Sequence, residues 1–152
     1  MPEKPMDPAP MDQAINAAIE LNEEIGRRGI KSAYSELEKA VRSFEKNGYP
    51  LESIIPHGED TGLGFSLRRT DGKTFFAIYS SLIHKKLCKP GGEFNKLIKT
   101  GIDSSVGAVL TAIVTSLGIP LVALSIMIPI AVIIFNTGIE AFCKFTEEEK
   151  KP

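Results

Sequence analysis

Little in this sequence can hold a metal, a phosphate or a covalent intermediate. It has two cysteines, Cys88 and Cys143, and two histidines, His57 and His84. Neither pair shows the spacing of a zinc site, which needs three or four converging ligands. Two cysteines make no disulfide framework either, and they are read as reduced, unrelated thiols. Cys143 follows a long apolar run, a place where reversible S-acylation is chemically open. His57 shares the loop Pro56 to Asp60 with Glu59 and Asp60. One histidine beside carboxylates in a turn reads as a solvated loop.

Other absences are as informative. Eighteen basic residues balance nineteen acidic ones for a net charge of −1, which argues against direct nucleic-acid binding through a phosphate field. "GLGF" at Gly62 to Phe65 has half the look of a phosphate loop, but no GK[ST] follows. No Ser-His-Asp or Cys-His arrangement can be argued from chain order. The start, "MPEKPMDPAPMDQ", has four prolines, one lysine and no apolar core. It reads as a disordered leader over residues 1–10, not a secretory signal. No internal repeat stands out. The expectation is a protein with no catalytic site, cofactor or metal.

What the chain has is a run of 36 residues, Ser104 to Ile139, without one charged side chain. As a single helix it would be roughly 54 Å long against a hydrocarbon core of about 30 Å. "GIP" at Gly118 to Pro120 offers a break, because proline lacks the amide and pushes its predecessor out of helical space. The division predicts a hairpin over residues 101–139, with arms at Gly101 to Leu117 and Pro120 to Ile139. Ser104, Ala108, Ala112 and Ser116 recur every fourth residue, a ridge of small side chains that lets helices approach closely in lipid.

The polar part, residues 11–100, reads as a small α+β module. One helix starts at Met11, with Met11, Ile15, Ala18, Ile19 and Asn22 near one face, and stops at the glycines of "GRRG". A second, Ser32 to Asn47, carries the stripe Ala33, Leu37, Ala40, Val41 and Phe44, closed by "NGYP". "GFSLRRTDGKTFFAIYSS" then predicts a β-hairpin turning at Asp71-Gly72. Its second strand is apolar on both faces, which offers Phe76 and Ile78, with Arg68 and Arg69 nearby, to a protein partner. Residues 82–100 form a basic segment in which Lys85, Lys86, Lys89, Lys96 and Lys99 face Glu93 alone. Residues 140–152 read as a charged, solvated tail.

The expected fold is therefore a helix–helix–β-hairpin module followed by a two-helix transmembrane or membrane-inserting hairpin. The lysines would meet anionic headgroups and set both termini in the cytoplasm. The expected function is a non-enzymatic membrane effector, of toxin or defence type, whose soluble module receives a partner or signal and whose hairpins cluster to perturb the membrane. The layout is analogous, in architecture only, to effectors and pore-forming toxins that join a sensing module to a membrane-active hairpin. The alternative is a passive anchor that recruits a soluble partner. A further form of the first reading hides the hairpin in a soluble fold and releases it later.

Overall fold

Proline suits the first position of a helix, where its missing N–H would have had no partner, and Pro10 opens the first helix here. The computed structural model describes residues 10–56, 62–100 and 105–150, apart from the side chains of Phe65, Thr100 and residues 145–150. Helix α1 spans Pro10–Arg28. It buries Ala14, Ala18, Leu21 and Ile25, while Ile19, assigned above to the inner face, is 41% exposed. Gly29, with φ +90°, stops it. Helix α2, Lys31–Lys46, buries the expected Ala33, Leu37, Val41 and Phe44. Its outer face carries the local ion pairs Glu36–Lys39 and Glu38–Arg42. A 3₁₀ turn, Leu51–Ile54, follows Pro50 and buries its two end residues.

The expected β-hairpin is overturned: the described residues are mostly helical, with no strand among them. Its first half is the short helix α3, Leu63–Leu67, and its second half is helix α4, Gly72–Leu87. Asp71 is an N-cap whose carboxylate accepts from Thr74 N at 2.7 Å. Aspartate followed by glycine fits a hairpin turn, but aspartate also ranks among the best helix caps. Gly72 is needed for another reason, since a Cβ there would lie 1.9 Å from the Tyr34 carbonyl oxygen. Helices α2 and α4 therefore touch backbone to backbone. Phe75, Tyr79 and Ile83, spaced by four, are buried and mark the helical period.

The transmembrane expectation is corrected as well. The uncharged run forms α6, Val106–Leu117, a 3₁₀ turn at Leu121–Ala123, and α7, Leu124–Thr137. No helix among the described residues is long and apolar enough to cross a membrane. Both arms are cut shorter than expected by their own end signals. Ser105 caps α6 through a bond from Ala108 N, so its helix starts at residue 106. Gly118 closes it in the left-handed region at φ +62°. Pro120 is extended, which delays α7 to Leu124, and Gly138 at φ +93° ends it.

These arms form the centre of a helical bundle. Helix α7 buries nine of its fourteen residues, the pattern of a central helix apolar on most of its circumference. It packs against α1, α2, α6 and the last helix, α8, Ile139–Lys150. Helix α6 in turn packs on α1, α4 and α5, the latter spanning Glu93–Thr100. The apolar stripes of the amphipathic helices cover the hairpin, and their charged faces make the outer surface. Helix α8 buries Ile139 and Phe142, ahead of the charged stretch that starts at Lys144. The reading of two separate thiols is corrected: Cys88 and Cys143 are disulfide-bonded, with Cα atoms 5.6 Å apart.

Candidate functional site

Among the described residues no group of three or more His, Cys, Asp or Glu could hold a metal. His57, Glu59 and Asp60 lie outside the described residues. His84 donates from Nε2 to the Cys143 carbonyl at 2.8 Å, joining α4 to α8. A groove of about 490 Å³ opens where α1 and α2 part over α7, floored by Leu21, Ile128 and Pro129. Glu20, Glu24, Glu36 and Lys39 also line it, and such a mixture of signs selects no ion. Burial pushes the Tyr79 phenol far above its ordinary value, while its hydroxyl donates to the Ile54 carbonyl at 2.6 Å. That is a structural bond. Desolvation also raises Tyr34, and the Thr74 backbone N–H holds Asp71 below the usual carboxylate range.

The feature with functional content is the α6–α7 hairpin, and its polar groups show why. Thr111 bonds the Gly107 carbonyl, and Thr115 bonds the Thr111 carbonyl, each at 2.8 Å. On α7, Asn136 bonds Val132 O at 2.8 Å and Thr137 bonds Ile133 O at 2.9 Å. Each reaches back to the carbonyl four residues earlier, so its donor is satisfied within its own helix. The bonded donor of such a side chain needs no water partner, which lowers the cost of entering an apolar medium. Asn136 is additionally tied to Asn22 on α1 at 2.7 Å. Pro129 has no N–H to give the Ser125 carbonyl, and Ser125 lies exposed beside the groove.

The arms bury most of their apolar side chains and expose Thr111, Thr115, Ser125, Asn136 and Thr137, whereas the turn exposes apolar ones. Leu121 is 62% exposed and Val122 49%, although Ile119 and Ala123 beside them are buried. Only three other large hydrophobic side chains among the described residues stand as open: Ile19, Ile30 and Tyr49. None of those three is adjacent to another in sequence. The tip thus presents two neighbouring apolar side chains, with no ionisable residue on either arm. Sequence reading placed the turn at Gly118 and Pro120 but missed Leu121 and Val122. Nothing in a uniformly apolar run marks which of its members will face water.

The other nominated residues fall as follows. Ser104 lies outside the described residues, Ala112 is buried, and Ala108 and Ser116 are half-buried. The tight spot on α6 is one residue from Ala108, at Gly107, where a Cβ would come 3.0 Å from Ile15 of α1. Phe76 and Ile78 no longer share a strand face, because two residues on a helix are about 200° apart. Both are half-buried, and Phe76 packs on Tyr34 and Phe142. Arg68 approaches Glu52 at 3.7 Å, and Arg69 is exposed at φ +59°. Lys85, Lys89, Lys96 and Lys99 are exposed, and Lys86 is half-buried. They sit on the end of α4 and on α5, which leads into the base of the hairpin, opposite its tip. Lys96 pairs with Glu93 at 3.4 Å.

No family model, curated protein or solved structure matches this chain.

Proposed function

We propose that the protein is a non-enzymatic membrane effector that stores its apolar hairpin inside a helical bundle and delivers it to a lipid surface. The observation that carries this reading is the exposed Leu121-Val122 tip on an uncharged hairpin. The self-satisfied hydroxyls and amide along the arms support it.

The energetics favour exchange between two environments. In the bundle, α6 and α7 rest against the apolar stripes of α1, α2 and α4. In lipid, acyl chains would replace those stripes around the hairpin while the stripes of α1, α2 and α4 close on one another, and the balance of the two decides between the states. The twelve residues of α6 and the fourteen of α7 give arms of roughly 18 and 21 Å. These are too short for a core of about 30 Å. The hairpin therefore acts as a wedge in one leaflet, and both termini stay on the side it entered from. At that depth the lysines near its base reach the headgroup layer, where each contributes about 1 kcal/mol against anionic lipid.

Flotation with vesicles of phosphatidylcholine and phosphatidylglycerol in equal parts tests the reading, together with release of a trapped dye. Wild type should float and release dye. Leu121→Asp with Val122→Asp should float about a hundredfold more weakly, because two buried aliphatic side chains are lost and two charges gained. Equal flotation of the double variant would refute the tip. Flotation without dye release would leave a passive anchor in place of an effector.

A further inference from the structure

We propose that the Cys88–Cys143 disulfide is a redox latch on the base of the hairpin, an inference that rests on the stored-hairpin reading above. Cys88 is the C-cap of α4 and Cys143 lies within α8. The bond closes a loop over 55 positions, and that loop contains α5, both hairpin arms and the tip. Both entry and exit of the hairpin are thereby fixed to α4. Both cysteines are partly exposed, so a small reductant can reach them.

The bond adds a covalent tie to a packed contact between α4 and α8. Helix α8 follows α7 through Gly138 alone, at φ +93°. It meets the bundle chiefly by Phe142, whose ring lies 6.2 Å from Phe94 on α5 and 6.4 Å from Phe76 on α4. The His84 Nε2 bond to the Cys143 carbonyl also joins α4 to α8. Thiol exchange removes the covalent part of this contact.

The reaction needs a dithiol reductant. Its thiolate attacks one sulfur, the Cys88–Cys143 bond breaks, a mixed disulfide forms, and the departing thiolate takes a proton. The reductant's second thiol then displaces the other cysteine. Both cysteines end as thiols and the reductant as a disulfide, two electrons and two protons having passed to the protein. Helices α5 and α8 then move independently of α4, and the hairpin is free at its base.

Amide hydrogen exchange of the full chain with and without dithiothreitol tests the latch, alongside the variant Cys88→Ser with Cys143→Ser and dye release from the same vesicles. Reduction should speed exchange in α5 and α8 about tenfold or more while α1 and α2 keep their protection. The double variant should match the reduced protein without reductant, and both should release dye about tenfold faster than the oxidised form. Equal exchange in the two redox forms overturns the latch, as does uniform acceleration through α1 and α2, which would make the bond a general staple. Localised exchange with measurable but equal dye release in the two forms also overturns it. Localised exchange with no dye release from any form supports the latch and refutes the membrane reading on which it was built.

Discussion

If the bundle is a store and the hairpin its content, damage to the cover should activate the protein. Leu37→Ala tests this directly. Leu37 is fully buried on α2, which packs on α7, α1 and α4 and contributes nothing to the uncharged run. Truncating a buried leucine costs about 2–5 kcal/mol, the spread reflecting how far the site collapses. Taking about 3 kcal/mol, the population of any state in which α2 has left α7 rises roughly a hundredfold. The hairpin itself keeps every apolar atom, so its affinity for lipid is unchanged. Urea unfolding followed by circular dichroism gives the stability loss, and stopped-flow dye release gives the rate. The expected pattern is inverse: lower stability and faster release, up to the limit at which the bundle no longer folds. A release rate that falls in step with stability would mean that the closed bundle is the active form. A rate that does not move would mean that α2 stays in place during the event. Either result refutes the stored-hairpin argument.

Three further expectations concern the bundle itself. Tyr79→Phe removes the donor to the buried Ile54 carbonyl and should cost about 1–3 kcal/mol in urea unfolding, with the acceptor left unmet; an unchanged midpoint would show that water reaches that carbonyl. Gly72→Ala places a methyl inside the contact distance of Tyr34 O and should cost about 1–3 kcal/mol or more by forcing α2 and α4 apart; wild-type thermal stability would refute the backbone contact. Asp71 is held below the ordinary carboxylate range by the Thr74 N–H, so its stabilising effect is present above the unfolded value, about 3.9, and is lost as pH falls through the lower folded value. Asp71→Asn, which keeps a capping oxygen, should flatten that part of the stability–pH curve below about pH 4, and an unchanged curve would assign the acid dependence elsewhere.

The sequence showed some of this plainly. The stripe of α2 and the glycine stop of α1 were legible because period and punctuation agreed. The break at Gly118 to Pro120 was legible for the same reason, both residues opposing the helix at one point. The segment around Asp71-Gly72 was misread because two mechanisms compete for one dipeptide. Aspartate can start a turn or cap a helix, and glycine can supply positive φ or make room for a neighbouring backbone. Here the room was needed, by Tyr34 O, and no local signal reports a contact made with a residue 38 positions earlier. The disulfide was missed on similar grounds. Spacing along the chain says nothing of two helices that meet only after the hairpin has folded between them.

The membrane question shows a deeper ambiguity, which is also the physical basis of the proposed function. A helix buried in protein and a helix buried in lipid obey the same conditions: no charge, and no polar group without a partner. Thr111, Thr115 and Thr137 place their donors inside their own helices, whereas Asn136 divides its amide between Val132 O and Asn22 of α1, so the hairpin carries most of its solution into either environment. What differs is length and neighbours. Length excludes a span, since capping by Ser105 and the stops at Gly118 and Gly138 leave helices of twelve and fourteen residues. Neighbours are supplied by α1, α2 and α4, whose stripes complete the burial that the hairpin cannot achieve alone. At the tip, Leu121 and Val122 remain in water because none of the described helices covers the turn, and a surface that is apolar by composition and left open there is where contact with lipid would begin.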